Sequence, residues 1–170
     1  IQTAGLPVLK ALVSALLYED ASRLTLLAIA FSLAVLSFTF RHPFGVIGPA
    51  LVIGQTLATM FGAMALFGVP LSIVGLYLPG LVAVISIMDA IHIQSMYRKL
   101  CSHKRHGAAA IIEAASVAGA PMLYTAGTTC LGLLSLRVAR LEAVRDLGTF
   151  GALGVAAAVV HTLITLPLVL

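Results

Sequence analysis

The chain has 170 residues, of which 61% are hydrophobic and 9% charged, with a net charge of +4, and its mean hydropathy is +1.11. Soluble domains average about 45–50% apolar and about 25% charged residues, and a domain this small cannot hide the excess in a core, so lipid is the expected solvent. The Lys and Arg residues sit in short connectors, with no basic face interleaved with aromatics, which argues against a nucleic-acid partner.

Residues 1–22 mix apolar side chains with Lys10 and Ser14 and end on Glu19-Asp20. This pattern predicts an amphipathic lead-in helix at the membrane interface. A crossing helix needs about 20 mostly apolar residues. Five stretches meet or approach that length: 23–40, 43–67, 71–97, 114–136 and 144–170. Arg41-His42-Pro43 ends the first, because proline disfavours helix at the residue before it. Gly68-Val69-Pro70 is a turn between the second and third. Pro79-Gly80 predicts a kink in the third. Residues 98–107 form a polar connector, and 108–115, with Glu113, predict a second interfacial lead-in. The expected fold class is an all-α membrane protein, a five-span helix bundle. The chain starts at Ile1 without a methionine and ends at Leu170 inside an apolar run, so it reads as a piece of a longer protein.

Alternation of the spans puts Arg41, Arg98, Lys99, Lys104 and Arg105 on one side and Arg23, Arg137, Arg140 and Arg145 on the other. The count decides little, but the densest cluster favours residues 98–107 as the cytoplasmic connector.

Of six acids, five lie in or beside connectors, and only Asp89 lies inside a span. It precedes Arg98 by nine residues, about 13 Å along a helix, which is near the middle of an apolar layer about 30 Å thick. A central Asp costs about 2.5–3.5 kcal/mol on insertion scales, less if the carboxyl is protonated. A group that alternates between neutral and charged forms inside a membrane suits a proton-driven transporter. His92 follows at i+3 and Ser86 precedes at i−3 on the same helix face, and a carboxylate and an imidazole one turn apart can relay a proton. The fourth span offers a facing surface in Thr125, Thr128 and Thr129, whose hydroxyls could reach Asp89. Thr128 with Gly132 is a small-xxx-small pair suited to close helix approach.

Gly148, Gly151 and Gly154 predict a close-packing face on the fifth span. His161 reads as a packed, hydrogen-bonded side chain rather than a haem ligand, and Cys101 with His103 and His106 is weak evidence for a metal. No nucleophile, phosphate-loop or HExxH motif occurs, so no enzyme activity, cofactor or metal is expected.

These residues resemble a known family. The basic turn Arg41-His42-Pro43, the turn Gly68-Val69-Pro70-Leu71, and Asp89-Ala90-Ile91-His92 followed by Tyr97-Arg98 occur in this order. The later Thr128-Thr129, Gly132 and Ser135-Leu136 complete the pattern. It is similar to a transmembrane half of the RND superfamily, especially its MMPL-type and sterol-sensing-domain-like lipid exporters.

The resemblance implies that these are spans two to six of a six-helix half, with a first span and a porter domain upstream. It implies a proton-motive-force-driven exporter of lipids or other hydrophobic compounds in the bacterial inner membrane, with 98–107 cytoplasmic and Asp89 as the proton-coupling residue. Its partners would be membrane lipids, a hydrophobic substrate, and a second transmembrane half or another copy. Many members carry two adjacent acids here, whereas Met88 replaces the first, which makes His92 a co-participant. The alternative is a sterol- or lipid-sensing regulatory module that moves no substrate.

Overall fold

Lipid offers no water to satisfy a peptide group, so an apolar run must close its backbone hydrogen bonds internally, and helices result. The structure, a computed structural model, describes residues 6–40, 44–70, 72, 75–102 and 107–169. Within them lie α1 (Leu6–Phe40), α2 (Phe44–Leu66), α3 (Leu78–Ser102), α4 (Ala108–Ser135) and α5 (Glu142–Val169), with 3-10 turns at Gly75–Tyr77 and Leu136–Val138. All five helices are long and apolar enough to cross a membrane, and no strand occurs among the described residues. The protein is an all-α membrane bundle. The turn Arg41-His42-Pro43, Leu71 and the stretch 103–106 lie outside the described residues.

Three boundaries differ from the sequence-based expectation. The lead-in and the first span form one unbroken helix, α1, whose crossing stretch is Ala15–Phe38 rather than 23–40. Arg23 therefore sits inside a helix, paired at 2.6 Å with Glu19 one turn back. The second change concerns Pro79-Gly80, which does not kink the third span. Ser72 accepts the Gly75 amide through its hydroxyl at 3.1 Å, the 3-10 turn follows, and α3 starts at Leu78. Pro79 then falls in the first turn, where a missing N–H matters least. Thirdly, the lead-in at 108–115 is continuous with the fourth span in α4.

The turn after α2 forms as its residues dictate. Gly68 takes φ 64, in the left-handed region, and Val69 N–H closes on Met64 O at 3.0 Å, a helix end that glycine favours.

α3 is the hub, packing against each of the other four helices. Three apolar clusters hold it. Met60, Met64, Leu78, Val82 and Phe150 form one; Leu36, Ile53, Ala83 and Ile87 form another. The third, of Val52, Ala90, Ile93, Ala118, Met122 and Leu166, joins α2, α3, α4 and α5. On α5, Gly148, Gly151 and Gly154 are buried. A methyl on Gly154 would lie 2.7 Å from Val82 Cγ2, and one on Gly151 would lie 3.1 Å from Leu78 Cδ2. The missing side chains let α5 approach α3 closely. α1 is more peripheral. Among the described side chains its first buried residue is Ala21; before it Leu17 is half-buried and Val8, Leu9, Leu12, Val13 and Leu16 are exposed.

Candidate functional site: a buried acid beside a groove

α3 buries an arc that runs through Val82, Ser86, Asp89, Ala90, Ile93 and Gln94. Asp89 lies within this arc, with 6% of its surface exposed. Its Oδ2 meets no hydrogen-bond donor among the described residues. The expected neighbours do not supply one. The Ser86 hydroxyl is buried but donates to Val82 O at 2.8 Å. His92 is exposed, and no hydrogen bond joins it to Asp89. The spacing i, i+3 places the two on adjacent flanks of the helix, yet the edge of the packed arc falls between them.

α4 faces the bundle differently from the expectation. Thr125 donates to Met122 O at 2.9 Å, Thr128 to Thr125 O at 2.9 Å, and Thr129 to Thr125 O at 2.8 Å. Each hydroxyl thus closes on its own helix, a common fate for threonine in a helix, and none reaches Asp89. Thr128 is exposed, and a methyl on Gly132 would meet nothing within 4 Å. The Thr128/Gly132 pair therefore points outward and packs no helix among the described residues. Thr128→Val and Thr129→Val are expected to shift unfolding in detergent by less than about 0.5 kcal/mol. A loss well above that would mean the hydroxyls hold tertiary contacts.

What the structure does bring together is His92 and Thr125. They line one groove of about 460 Å³ between α3 and α4, with Ser95, Met96 and Lys99 on one wall and Val117, Ala118, Pro121 and Met122 on the other. Pro121 helps to open it: its ring has no N–H for the carbonyl of Val117 one turn back, and both residues line the groove. Asp89 lies one turn deeper than His92 along α3. The candidate site is thus a buried carboxyl one turn along α3 from a groove that carries an imidazole and, nearer the 98–107 connector, an ammonium group, with Asp89 itself outside the groove lining.

Two polar features escaped the sequence analysis. Gln94 is 2% exposed, and neither its Oε1 nor its Nε2 has a partner among the described residues. An amide inside an apolar run was the available signal. The second is a set of links between α2 and α5. Thr165 donates to Gln55 Oε1 at 2.7 Å, and Thr56 Oγ1 lies 3.4 Å from His161 Nδ1. His161 is half-buried and pairs across helices. The helices are in register where Gly154 meets Val82 and Met60. Seven residues onward along α3 and α5, about 10 Å, come Asp89 and His161, so the two sit at matching depth. Among the described residues no group of three His, Cys, Asp or Glu could hold a metal; His42, His103 and His106 lie outside them.

Met88, where the resemblance leads one to expect the first residue of a paired acidic motif, is 61% exposed. It lines an apolar groove between α1 and α3 with Phe31, Val35 and Val84.

The fold and the apolar helices define an integral membrane protein. The chain is similar to a protein of Methanocaldococcus jannaschii whose description goes no further than membrane protein, with 30% identity over 166 residues, covering 96% of this chain. It spans 42% of that relative's length. No family model and no solved structure matches the chain.

Proposed function

We propose that this bundle is the transmembrane part of a proton-driven exporter of lipids or other hydrophobic molecules, with Asp89 as the group that takes up and releases the proton. The observation that supports this most is the burial of Asp89 at mid-depth with an unpartnered carboxylate oxygen. A carboxylate serving only as a packing element would be hydrogen-bonded, because an unmet buried acceptor costs about 1–3 kcal/mol. An acid that must exchange a proton pays that cost in one of its two states. In this reading a proton from the 98–107 side travels along the groove as far as His92, one turn from Asp89, and the imidazole passes it on.

In this reading, protonation changes how α3 packs against its four neighbours, and that two-state element drives the rest of the transporter. The resemblance to the RND superfamily, and with it a porter domain, a further span, a second half or another copy, and a bacterial inner membrane with residues 98–107 cytoplasmic, belongs to the same proposal. So does the absence of enzyme chemistry. The groove between α3 and α4 is also where the lipid-sensing alternative would place its ligand.

The test uses the full-length protein in vesicles with an imposed pH gradient. Asp89→Asn is expected to remove proton-linked substrate movement while the protein still inserts and folds, as judged by helical circular dichroism and detergent unfolding. Proton-linked export that survives the substitution rules the proposal out.

A further inference from the structure

The groove between α3 and α4 has a chemistry that proton transfer alone does not need. Lys99, three residues from the end of α3, lines its mouth. It is exposed and has no ion pair among the described residues. A lysine so close to a helix end can carry its ammonium to the lipid headgroup level while its stem lies on apolar surface. Below it the groove descends along Met96, Val117, Ala118, Pro121 and Met122 to His92 and Thr125. From Lys99 to His92 the drop is about 10 Å along α3. The Thr125 and Ser95 hydroxyls are spent on their own helices, so apart from the His92 imidazole the walls are mainly apolar, with an ammonium at the top.

This order of groups, a cation at the interface above an apolar channel into the membrane, fits one kind of occupant. We propose that the groove is a binding site for a membrane lipid with an anionic phosphate headgroup, the phosphate at Lys99 and one acyl chain against Met96, Val117, Ala118 and Met122. Charge complementarity selects the head, and the depth of the groove selects a molecule with a chain. A lipid seated here covers His92, one turn along α3 from Asp89. The proposal deepens the transport reading by naming a ligand class for the same groove, and it rests on that reading only in its consequence for Asp89.

These 170 residues contain no tryptophan, so in the full-length protein, with any tryptophan elsewhere replaced by phenylalanine, Val117→Trp places a single fluorophore on the groove wall, at a position that is 50% exposed. Ser95→Trp reads the same groove from α3 if Val117→Trp misfolds. The protein is reconstituted at neutral pH without a gradient, in phosphatidylcholine vesicles that hold small fractions of brominated phosphatidylglycerol or brominated phosphatidylcholine. Bromine quenches tryptophan that it touches. The brominated anionic lipid is expected to bind about fivefold more strongly, the effect of one lysine beside an anionic headgroup. Lys99→Gln is expected to bring the ratio to about one, and Val160→Trp, exposed on α5, to show no preference. Three outcomes overturn the proposal: no anionic preference at the groove, a preference that survives Lys99→Gln, or the same preference at Val160→Trp. Removal of the preference by inorganic phosphate would mean a free-anion site and also overturns it. Because the readout is equilibrium binding, loss of transport in Asp89→Asn with quenching intact, or the reverse, tells the two readings apart.

Discussion

Asp89→Leu is expected to stabilise the bundle by about 1–3 kcal/mol and at the same time to abolish proton-linked transport by the full-length protein. The two effects have one origin. Asp89 is 6% exposed and its Oδ2 has no partner among the described residues, so this oxygen has lost its hydration with no hydrogen bond from them to replace it. Leucine removes that cost, although its side chain is larger than that of aspartate and the neighbouring side chains must make room for it. Replacing a buried charged group by an apolar one is often stabilising. Unfolding in mixed micelles of a denaturing and a mild detergent measures the first effect, and vesicle transport under a pH gradient measures the second. A destabilised Asp89→Leu would show that the carboxyl makes native bonds and is structural. A stabilised variant with full transport would mean that the acid is dispensable. Only gain in stability joined to loss of transport supports a residue kept for its chemistry.

Gly148→Ala is expected to cost the bundle about 1–3 kcal/mol. A Cβ at this position would collide with the carbonyl oxygen of Leu133 and sit 2.9 Å from Leu136 Cβ. A flexible side chain could swing away, but a backbone carbonyl at the end of α4 moves only if the helix moves. α4 and α5 would have to separate along one of the broadest contacts in the molecule. Gly132→Ala is the control. It is also a helix glycine, but a methyl there meets nothing within 4 Å, so lower backbone entropy in the unfolded chain leaves it neutral or stabilising by up to about 1 kcal/mol. Equal losses at both positions would indicate that helix propensity, not the α4–α5 approach, sets the cost.

Much of the fold was legible because lipid imposes a strong rule. Length and hydropathy marked five spans, and five helices of crossing length are present. The boundaries were less legible. Pro79 reads as a break within a run of apolar residues, and only the capping by Ser72 shows that the helix begins next to it. The continuity of α1 was hidden because Glu19, Asp20 and Arg23 look like a connector, whereas they sit on an exposed helical surface with Arg23 closing on Glu19. At the site, Asp89 stood out as the acid inside a span. Its surroundings did not, since sequence spacing gives the faces of one helix but not the rotation of its neighbours. Thr128 and Thr129 had the right residue type at the right depth, yet α4 turns them away and their hydroxyls find carbonyls one turn back. Gln94 was passed over because an amide neither titrates nor reacts, although burying it with no partner among the described residues is costly.

α1 leaves the bundle at Ala21 and continues as helix back to Leu6. That exposed length is a rigid rod of about 22 Å. Its base rests against α3, where a methyl on Gly80 would come within 3.3 Å of Thr25 Oγ1. Contact this close leaves little slack between the two helices. A tilt of about 5° in α3, carried to α1 at this point, would sweep the tip at Leu6 through about 2 Å. The helix that looks least committed to the bundle is therefore its longest lever, and a small repacking around the central span would be felt first at the far end of α1.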